Sequence, residues 1–271
     1  MKKNFYFMFF ILSFILILTS CKNNNYTETE YSYKLSDNIT DIEINWRVGD
    51  IEIISGDEFS IVETSQDEKA IAPLNYSIID NKLVLNYNNS NKDLKIVLDN
   101  KSDYNLIHIE TTNSIVTASH IVANQLTING KFGKSDISYC TLKILESNFI
   151  CLNGWEISKI QNNIIENVKI IYKKIYSISI INNICKIINF KFESGTLNLS
   201  NNCFNQLNLN SIYGALNITI TAHLGFTYYS NSKTSIDFET ISYNNKYIYL
   251  DGSKNIYCYN YKGNTNIYRH N

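Results

Sequence analysis

Between residues 107 and 216, pairs of apolar residues separated by one residue recur at a nearly constant interval, and this repeat constrains the fold more than any other feature of the sequence. The intervals are 19, 16, 18, 18, 19 and 19 residues, for pairs that begin at Ile107, Leu126, Leu142, Ile160, Ile178, Leu197 and Leu216. A period near eighteen is too short for repeats of helix pairs and fits one coil of a β-solenoid. Such coils stack about 4.8 Å apart around a narrow core.

Most repeats also contain two polar residues followed by two apolar or small residues. The clearest copies are Asn162-Asn163-Ile164-Ile165, Asn182-Asn183-Ile184-Cys185 and Asn201-Asn202-Cys203-Phe204, and looser copies are Ser147-Asn148-Phe149-Ile150 and Thr112-Asn113-Ser114-Ile115. Asparagine tolerates the left-handed backbone conformation better than most residues. These pairs therefore predict the turns between the strands of successive coils.

Before the repeat, apolar and polar residues alternate, as in Ile42, Ile44 and Trp46 and again in Leu94, Ile96 and Leu98. This alternation is typical of half-buried strands. The sequence thus predicts an all-β, single-stranded β-solenoid, similar to a parallel β-helix, of roughly 18-residue coils with capping strands at both ends. We expect N-terminal capping strands to about residue 105, repeat coils over about 106–222, and Tyr-rich C-terminal strands over about 223–271.

The N-terminus has the pattern of an export leader. Lys2 and Lys3 precede an apolar run from Phe5 to Leu18, which ends in Leu18-Thr19-Ser20-Cys21. About 14 apolar residues are too few to span a bilayer as a helix, so the run predicts a signal peptide. The ending resembles the lipobox of bacterial lipoproteins, which implies cleavage before Cys21 and acylation of its sulfur. We therefore expect a signal peptide over 1–20, a lipidated flexible tether over 21–37 and a solenoid domain over 38–271.

Several motifs resemble the DUF4097 family of bacterial adhesin-like proteins and the related head-GIN and toast-rack domains. The strand, Trp-x-x-Gly turn and strand at the start of that family match residues 44–53, and its ladders match Leu197-Asn198-Leu199-Ser200 and residues 216–220. The closing strand pair, marked by glycine, matches residues 251–256 and 262–267. Unlike the family, this chain has Asn or Ser at many of the glycine positions of the coils, for example Asn113 and Asn148. The resemblance implies a β-solenoid without assigned catalytic residues.

Charge excludes a general nucleic-acid-binding surface. Without Lys2 and Lys3, 22 basic residues face 25 acidic residues, a net charge of −3. Ten acids and one base, Arg47, lie between Asp37 and Glu68, and six lysines face one acid, Glu166, between Lys159 and Lys191. We interpret both clusters as solvated outward faces, and the acidic one also discourages pairing between strand edges. A charged docking end for a partner is the alternative.

The sequence contains few signs of catalysis. His108, His120, His223 and His270 form no metal-binding motif, and the cysteines do not have zinc-site spacing. Asp99 and Asp103 resemble a calcium loop that lacks its glycine and terminal glutamate, so we interpret them as a solvated turn. We therefore expect no enzyme activity, no cofactor and no metal.

Tyrosines give the clearest indication of a binding surface. Tyr247 and Tyr249 share one strand face, Tyr257, Tyr259 and Tyr261 share another, and Tyr228-Tyr229 lies upstream. An exposed aromatic stripe could stack on sugar rings or receive the edge strand of a partner. The favoured interpretation is that these tyrosines are half-buried and cover the end of the core, and Trp155 is likewise interpreted as a packing residue.

Five cysteines follow Cys21: Cys140, Cys151, Cys185, Cys203 and Cys258. Cys185 and Cys203 are eighteen positions apart, which would place them on neighbouring coils, close enough for a disulfide. Small thiols also stack well as a buried column. We expect reduced, buried and slowly reacting thiols.

Three classes of function are compatible with these features. The first is a non-enzymatic, adhesin-like binding module, anchored in the cell envelope at a periplasmic or exposed surface, with a protein or glycan partner and no nucleic acid. The second is a scaffold or sensor in an envelope protein complex. The third, and the least favoured, is a polysaccharide-active enzyme of the β-helix type. Such enzymes cluster Asp, Arg or Lys as catalytic groups on one face, whereas this sequence shows few signs of catalysis.

Overall fold

The computed structural model describes residues 29–35, 38–65, 73–87, 92–151, 157–221, 225–231, 234–237, 239–241 and 246–270. These residues form no helix and twenty strands: β1 (Thr29–Lys34), β2 (Asp41–Val48), β3 (Ile51–Gly56), β4 (Ser60–Ser65), β5 (Asn75–Ile79), β6 (Lys82–Asn86), β7 (Asp93–Asp99), β8 (Tyr104–Ser119), β9 (Val122–Ser138), β10 (Thr141–Cys151), β11 (Ile157–Gln161), β12 (Ile164–Ile181), β13 (Ile184–Ser200), β14 (Gln206–Thr221), β15 (Phe226–Ser230), β16 (Thr234–Ile236), β17 (Glu239–Ile241), β18 (Lys246–Tyr249), β19 (Lys254–Asn260) and β20 (Thr265–His270).

Parallel ladders join these strands into stacked coils, which confirms the predicted all-β solenoid. Each coil contributes one segment to each of two walls. Wall A consists of β2, β6, β10, β15, β19 and the first halves of β8, β9, β12, β13 and β14. Wall B consists of β3, β7, β11, β16, β20 and the second halves of the same long strands.

The coils are slightly longer than the sequence indicates. Ile107 pairs with Leu126, and Leu126 pairs with Leu145 rather than with Leu142, so the register advances by 19 residues at each of these steps. The next step in wall A, from Leu145 to Val168, is 23 residues. The four additional residues lie between β10 and β11, around a segment that the structure does not describe. This insertion explains why the third and fourth repeats are irregular in the sequence.

The coils also extend beyond the predicted 106–222, and at each end their spatial order differs from their chain order. At the N-terminal end, β2 and β3 pair directly with β8, although β6 and β7 lie between them in the sequence. The β6–β7 coil instead stacks on the outer side of β2–β3. At the other end, β19 and β20 pair with β14, and the β15–β16 coil stacks outside them.

Antiparallel strands cover both ends of the stack, as the sequence predicts. At the N-terminal end β5 pairs with β6, β4 pairs with β7 and β1 pairs with β4. At the C-terminal end β18 pairs with β15 and β17 pairs with β16. These pairings cover the outer ladders, which would otherwise be open templates for other chains.

The range predicted to be a flexible tether, 21–37, includes strand β1. Its described part is therefore ordered against the cap rather than extended as a linker. Alternation is the physical reason, because Tyr33 points inward and packs with Leu35 against the core. The segments 1–28 and 36–37 lie outside the described residues.

One corner of each coil from β8 to β13 carries a left-handed turn, which confirms the prediction for the three Asn-Asn pairs. The prediction is wrong for the looser copies, because Thr112-Asn113 and Ser147-Asn148 lie inside β8 and β10, where Asn113, Ser147 and Asn148 pair in the ladders. The residue with positive φ is His120, Tyr139, Asn162, Asn182 or Asn201, at equivalent positions of successive coils. The following residue points inward, and Asn163, Asn183 and Asn202 form a buried column. The Asn183 side-chain oxygen accepts bonds from both the backbone and the side-chain nitrogen of Asn163, at 3.0 and 2.9 Å. Asn202 does the same for Asn183, so this amide column ties three coils together.

The acidic stretch is not entirely solvated, contrary to the sequence-based interpretation. Glu63 is buried, with 1% of its side chain exposed, and it forms a 3.2 Å ion pair with the equally buried Lys92. Burying a single charge is unfavourable, and here the attraction of the opposite charge beside it offsets that cost. By contrast, the six lysines from Lys159 to Lys191 are all exposed, as expected for a solvated face.

Candidate functional site

The predicted lipid-attachment residue, Cys21, lies outside the described residues, as do the rest of the leader and Trp155. In the part of the chain that the structure describes, no helix is long and apolar enough to span a bilayer.

A long groove runs along the outward side of wall A. It consists of two hollows of about 590 Å³ and 580 Å³ that meet at Ile171. The first hollow extends from β2 to β12 and is lined by side chains such as Arg47, Glu110 and Lys131. The second extends from β12 to β19 and is lined by Lys169, Lys191, Tyr257 and Tyr259, among others. The groove thus crosses the strands and follows the axis of the stack.

Strand alternation and register build this surface. Two inward columns fill the core beneath it: Ile42, Ile107, Leu126, Leu145, Val168, Ile188, Leu207 and Ile256; and Ile44, Ile109, Ile128, Ser147, Ile170, Phe190, Leu209 and Cys258. The residues between them form two outward rows: Glu43, His108, Thr127, Glu146, Lys169, Asn189, Asn208 and Tyr257; and Asn45, Glu110, Asn129, Asn148, Ile171, Lys191, Asn210 and Tyr259. Each row therefore presents one side chain per coil.

Amide contacts hold parts of these rows in place. The Asn129 side chain donates a 2.7 Å hydrogen bond to Glu110, and Asn148 donates one of 2.8 Å to Asn129. Asn208 donates a 2.6 Å bond to Asn189 in the other row. Such ladders fix the rotamers of neighbouring side chains, so the groove presents a preordered polar surface.

Basic side chains outnumber acids in both halves of the groove, since Arg47, Lys131 and Lys173 line the first hollow beside Glu110, but only the N-terminal half contains paired acids. In the N-terminal half Glu43 pairs with Lys82 and Glu110 pairs with His108, at 2.5 and 2.9 Å. The hydrogen bond from Lys82 is the main reason why the pKa of Glu43 is lowered. Among the described residues that line the second hollow there is no acid, while Lys169 and Lys191 contribute two ammonium groups. The C-terminal half is therefore cationic.

The tyrosines divide between the two interpretations. Tyr228 is buried, and Tyr247 and Tyr249 pack against the core, as expected for residues that cover its end. By contrast, Tyr259 and Tyr261 are 54% and 73% exposed. Tyr257 is half-buried, and its ring stacks on Tyr229 with centroids 4.9 Å apart. The stripe on β19 is thus an open aromatic surface at one end of the groove.

The other predicted polar sites have structural roles. Asp99 accepts hydrogen bonds from the backbone of Lys101 and the hydroxyl of Ser102, which is the predicted solvated turn. His120 occupies a left-handed corner and stacks on Tyr139. The described residues contain no group of three or more His, Cys, Asp or Glu side chains that could hold a metal.

The prediction of buried thiols is wrong for Cys203. Cys140, Cys185 and Cys258 are buried and free, whereas Cys203 is exposed and free. Neighbouring coils here are 19 residues apart, so Cys203 is in register with the exposed Ile184 rather than with Cys185. A shift of one residue places the two cysteine side chains on opposite faces of the wall. The side chain of Cys151 is outside the described part.

Sequence patterns single out the lysines and tyrosines of the groove, but they do not predict that these residues lie close together. Lys169 and Lys191 belong to the lysine cluster, and Tyr257 and Tyr259 lie more than sixty residues later in the chain. They meet because β19 pairs with β14 although β15 to β18 intervene. The available signal was the alternation of Tyr257, Cys258 and Tyr259, which matches that of Asn208, Leu209 and Asn210 on β14.

Comparison with known proteins supports the fold. No protein-family model and no curated protein matches the chain. A solved structure of a candidate lipid-binding protein from Parabacteroides distasonis ATCC 8503 is similar, with a TM-score of 0.57 and 14% identity over 92% of this chain and 98% of that chain. A candidate adhesin from Bacteroides fragilis NCTC 9343 gives 0.43 and 12% over 90% and 97%. At such identities the first likeness supports a common architecture and nothing more specific.

Proposed function

We propose that the chain is a non-enzymatic, adhesin-like binding module of the cell envelope, which holds its ligand in the groove of wall A. The observation that carries this proposal is the groove itself, to which every stacked coil from β2 to β19 contributes side chains, several of them held by amide hydrogen bonds. The solved structure with a common architecture is named as a candidate lipid-binding protein, and that name agrees with a binding role.

Binding is favoured over catalysis by the carboxylates of the groove. Glycoside hydrolysis usually requires a pair of carboxyl groups on either side of the bond that breaks. Among the described residues that line the two hollows, Glu110 is the single acid. Its carboxylate is already hydrogen-bonded to the side chains of His108 and Asn129. A surface of amides, lysines and tyrosines is suited to holding a ligand rather than to transferring its protons.

We also propose that Cys21 is the acylated first residue of the mature protein, that the anchor holds the solenoid at the membrane, and that the chain is a DUF4097-type lipoprotein. The support is the order of positive residues, apolar run and Leu-Thr-Ser-Cys in the leader. Mass spectrometry of the native protein should find a diacylated Cys21, and Cys21→Ser should accumulate precursor. An unmodified mature chain that begins elsewhere would overturn the anchor without affecting the groove.

Blocking the groove tests the binding role without knowledge of the ligand. In a Cys203→Ser background, Asn210→Cys places a thiol in the groove, and Ser179→Cys places one on the outward side of wall B. A bulky maleimide on residue 210 should abolish binding to a glycan array and to intact envelopes, while the same label on residue 179 should leave it unchanged. Equal loss, or no loss, with both labels contradicts the proposal. Binding that is instead confined to an envelope protein complex indicates the scaffold role.

A further inference from the structure

The C-terminal half of the groove combines three chemical features on adjacent coils. Ammonium groups come from Lys169 and Lys191, and Lys173 lines the adjoining hollow. Carboxamides come from Asn189, Gln206, Asn208 and Asn210, and phenol rings come from Tyr257 and Tyr259. We name this set the lysine–tyrosine groove.

Two lysines at this groove form no ion pair with a described residue. Lys169 forms a 3.3 Å ion pair with Glu146, so part of its charge is neutralised by the protein. Lys173 and Lys191 are exposed and form no ion pair with any residue that the structure describes. Two ammonium groups on adjacent coils therefore line the groove without an ion-pair partner among the described residues, and they favour an anionic ligand.

The aromatic end provides flat apolar faces beside these charges. The Tyr257 ring is supported from behind by Tyr229, with an interplanar angle of 6°. Lys246 lies 5.7 Å from the centre of the Tyr229 ring, which adds a cation–π contact to this support. Tyr259 is in register with Asn210, and its ring is more than half exposed. Rings held in this way can stack on the C–H faces of sugars with little loss of conformational entropy.

The geometry favours a linear polymer. Successive coils place equivalent side chains about 4.8 Å apart, which is close to the length of one pyranose unit in an extended chain. Asn189, Asn208 and Tyr257 form one row along this axis, and Lys191, Asn210 and Tyr259 form the parallel row. A polysaccharide lying along the stack would thus meet a polar or aromatic group at each unit.

The backbone argues against a peptide strand as the occupant. Both ladder partners of every wall A strand beneath this half, from β12 to β19, are already in place, so no strand edge opens into the groove. Addition of a strand needs such an edge. Recognition must therefore proceed through side chains, and these are the amides, ammonium groups and rings described above.

We propose that the lysine–tyrosine groove binds an acidic polysaccharide along the axis of the solenoid. In this arrangement Lys173 and Lys191 contact the carboxylates and Tyr257 and Tyr259 stack on the sugar rings. This inference rests on the proposed function and adds the chemical class of the ligand.

Binding of polygalacturonate to the full chain, compared with fully methyl-esterified polygalacturonate, tests the inference. The acidic polymer should bind and the neutral polymer should bind at least about tenfold more weakly, and raising the salt concentration should weaken only the acidic complex. Lys173→Gln/Lys191→Gln should weaken the acidic complex by about tenfold for each lysine. The matched control is Lys101→Gln/Lys159→Gln, which changes the net charge equally away from the groove and should have little effect.

Tyr259→Ala should weaken binding of the acidic polymer, while Tyr76→Ala, an exposed tyrosine at the opposite cap, should not. Equal binding of both polymers, unaffected by the lysine changes, would overturn the acidic ligand but leave the proposed function intact. Preference for single-stranded DNA or for anionic phospholipid vesicles would overturn the polysaccharide. If the label at residue 210 blocks binding of intact envelopes but no polysaccharide binds, the inference fails and the proposed function stands.

Discussion

The indole nitrogen of Trp46 donates a 3.0 Å hydrogen bond to the backbone carbonyl oxygen of Lys92. The same oxygen would lie 1.9 Å from a Cβ atom on Gly49, whose φ of +103° already favours glycine. One carbonyl group therefore explains both residues of the Trp-x-x-Gly turn. It also connects the first coil in the sequence to the segment that leads into β7.

Gly49→Ala should destabilise the fold severely, by about 3 kcal/mol or more, because backbone atoms must move to accommodate the methyl group. Gly252→Ala is the matched control. Gly252 also has a positive φ, but its nearest neighbour would be a side-chain hydroxyl at 2.8 Å, so its cost should be smaller. Urea unfolding measures both variants, and equal losses would contradict the steric argument.

Asn183→Ala should lower the free energy of unfolding by about 3 kcal/mol, because buried partners in two neighbouring coils lose their hydrogen bonds. These partners include the Asn163 backbone nitrogen and the Ile160 carbonyl oxygen. Asn182→Gly changes the preceding, exposed residue at its left-handed φ of 55° and should cost only a few tenths of a kcal/mol. A similar loss in both variants would show that the amide column does not stabilise the stack.

Thiol labelling of the native protein should modify Cys203 rapidly and Cys140, Cys185 and Cys258 only after unfolding. Burial raises the pKa of Cys140 to about 11 and that of Cys185 to about 12, so both remain protonated at pH 8. Peptide mapping by mass spectrometry separates the sites. Rapid native labelling of Cys185, or a bridge from Cys185 to Cys203, would contradict the register of β13 and β14.

Stability should fall as the pH rises above 9. Desolvation raises the pKa of Cys185 from 9.0 to about 12, so above pH 9 the unfolded chain loses this proton while the folded chain keeps it. The contribution of the buried Cys185 thiol to the free energy of unfolding is complete below pH 9 and decreases by about 2 kcal/mol by pH 10.5. Cys185→Ala should reduce the slope of unfolding free energy between pH 8 and 10.5, and Cys203→Ala should not. An unchanged slope in Cys185→Ala would refute this account.

The coil architecture could be predicted because alternation and the Asn-Asn turns are local signals. Asn162, Asn182 and Asn201 occupy left-handed corners, and the Ile and Leu anchors fill the core. The exchange of coil order at both ends could not be predicted, since nothing local indicates that β19 rather than β15 follows β14 in space. Burial of Glu63 was missed for the same reason, because its partner Lys92 is 29 residues away. The composition of the groove depends on that order as well.

The central claim is that a ligand occupies the groove of wall A. The most direct test is lysine acetylation of the protein in intact envelopes. The modification of each lysine is compared with that in the purified chain by mass spectrometry. The account predicts protection of Lys169, Lys173 and Lys191 in the envelope, with Lys101 and Lys159 equally reactive in both samples. Equal reactivity of the groove lysines in both samples, or protection of Lys159 instead, would contradict it.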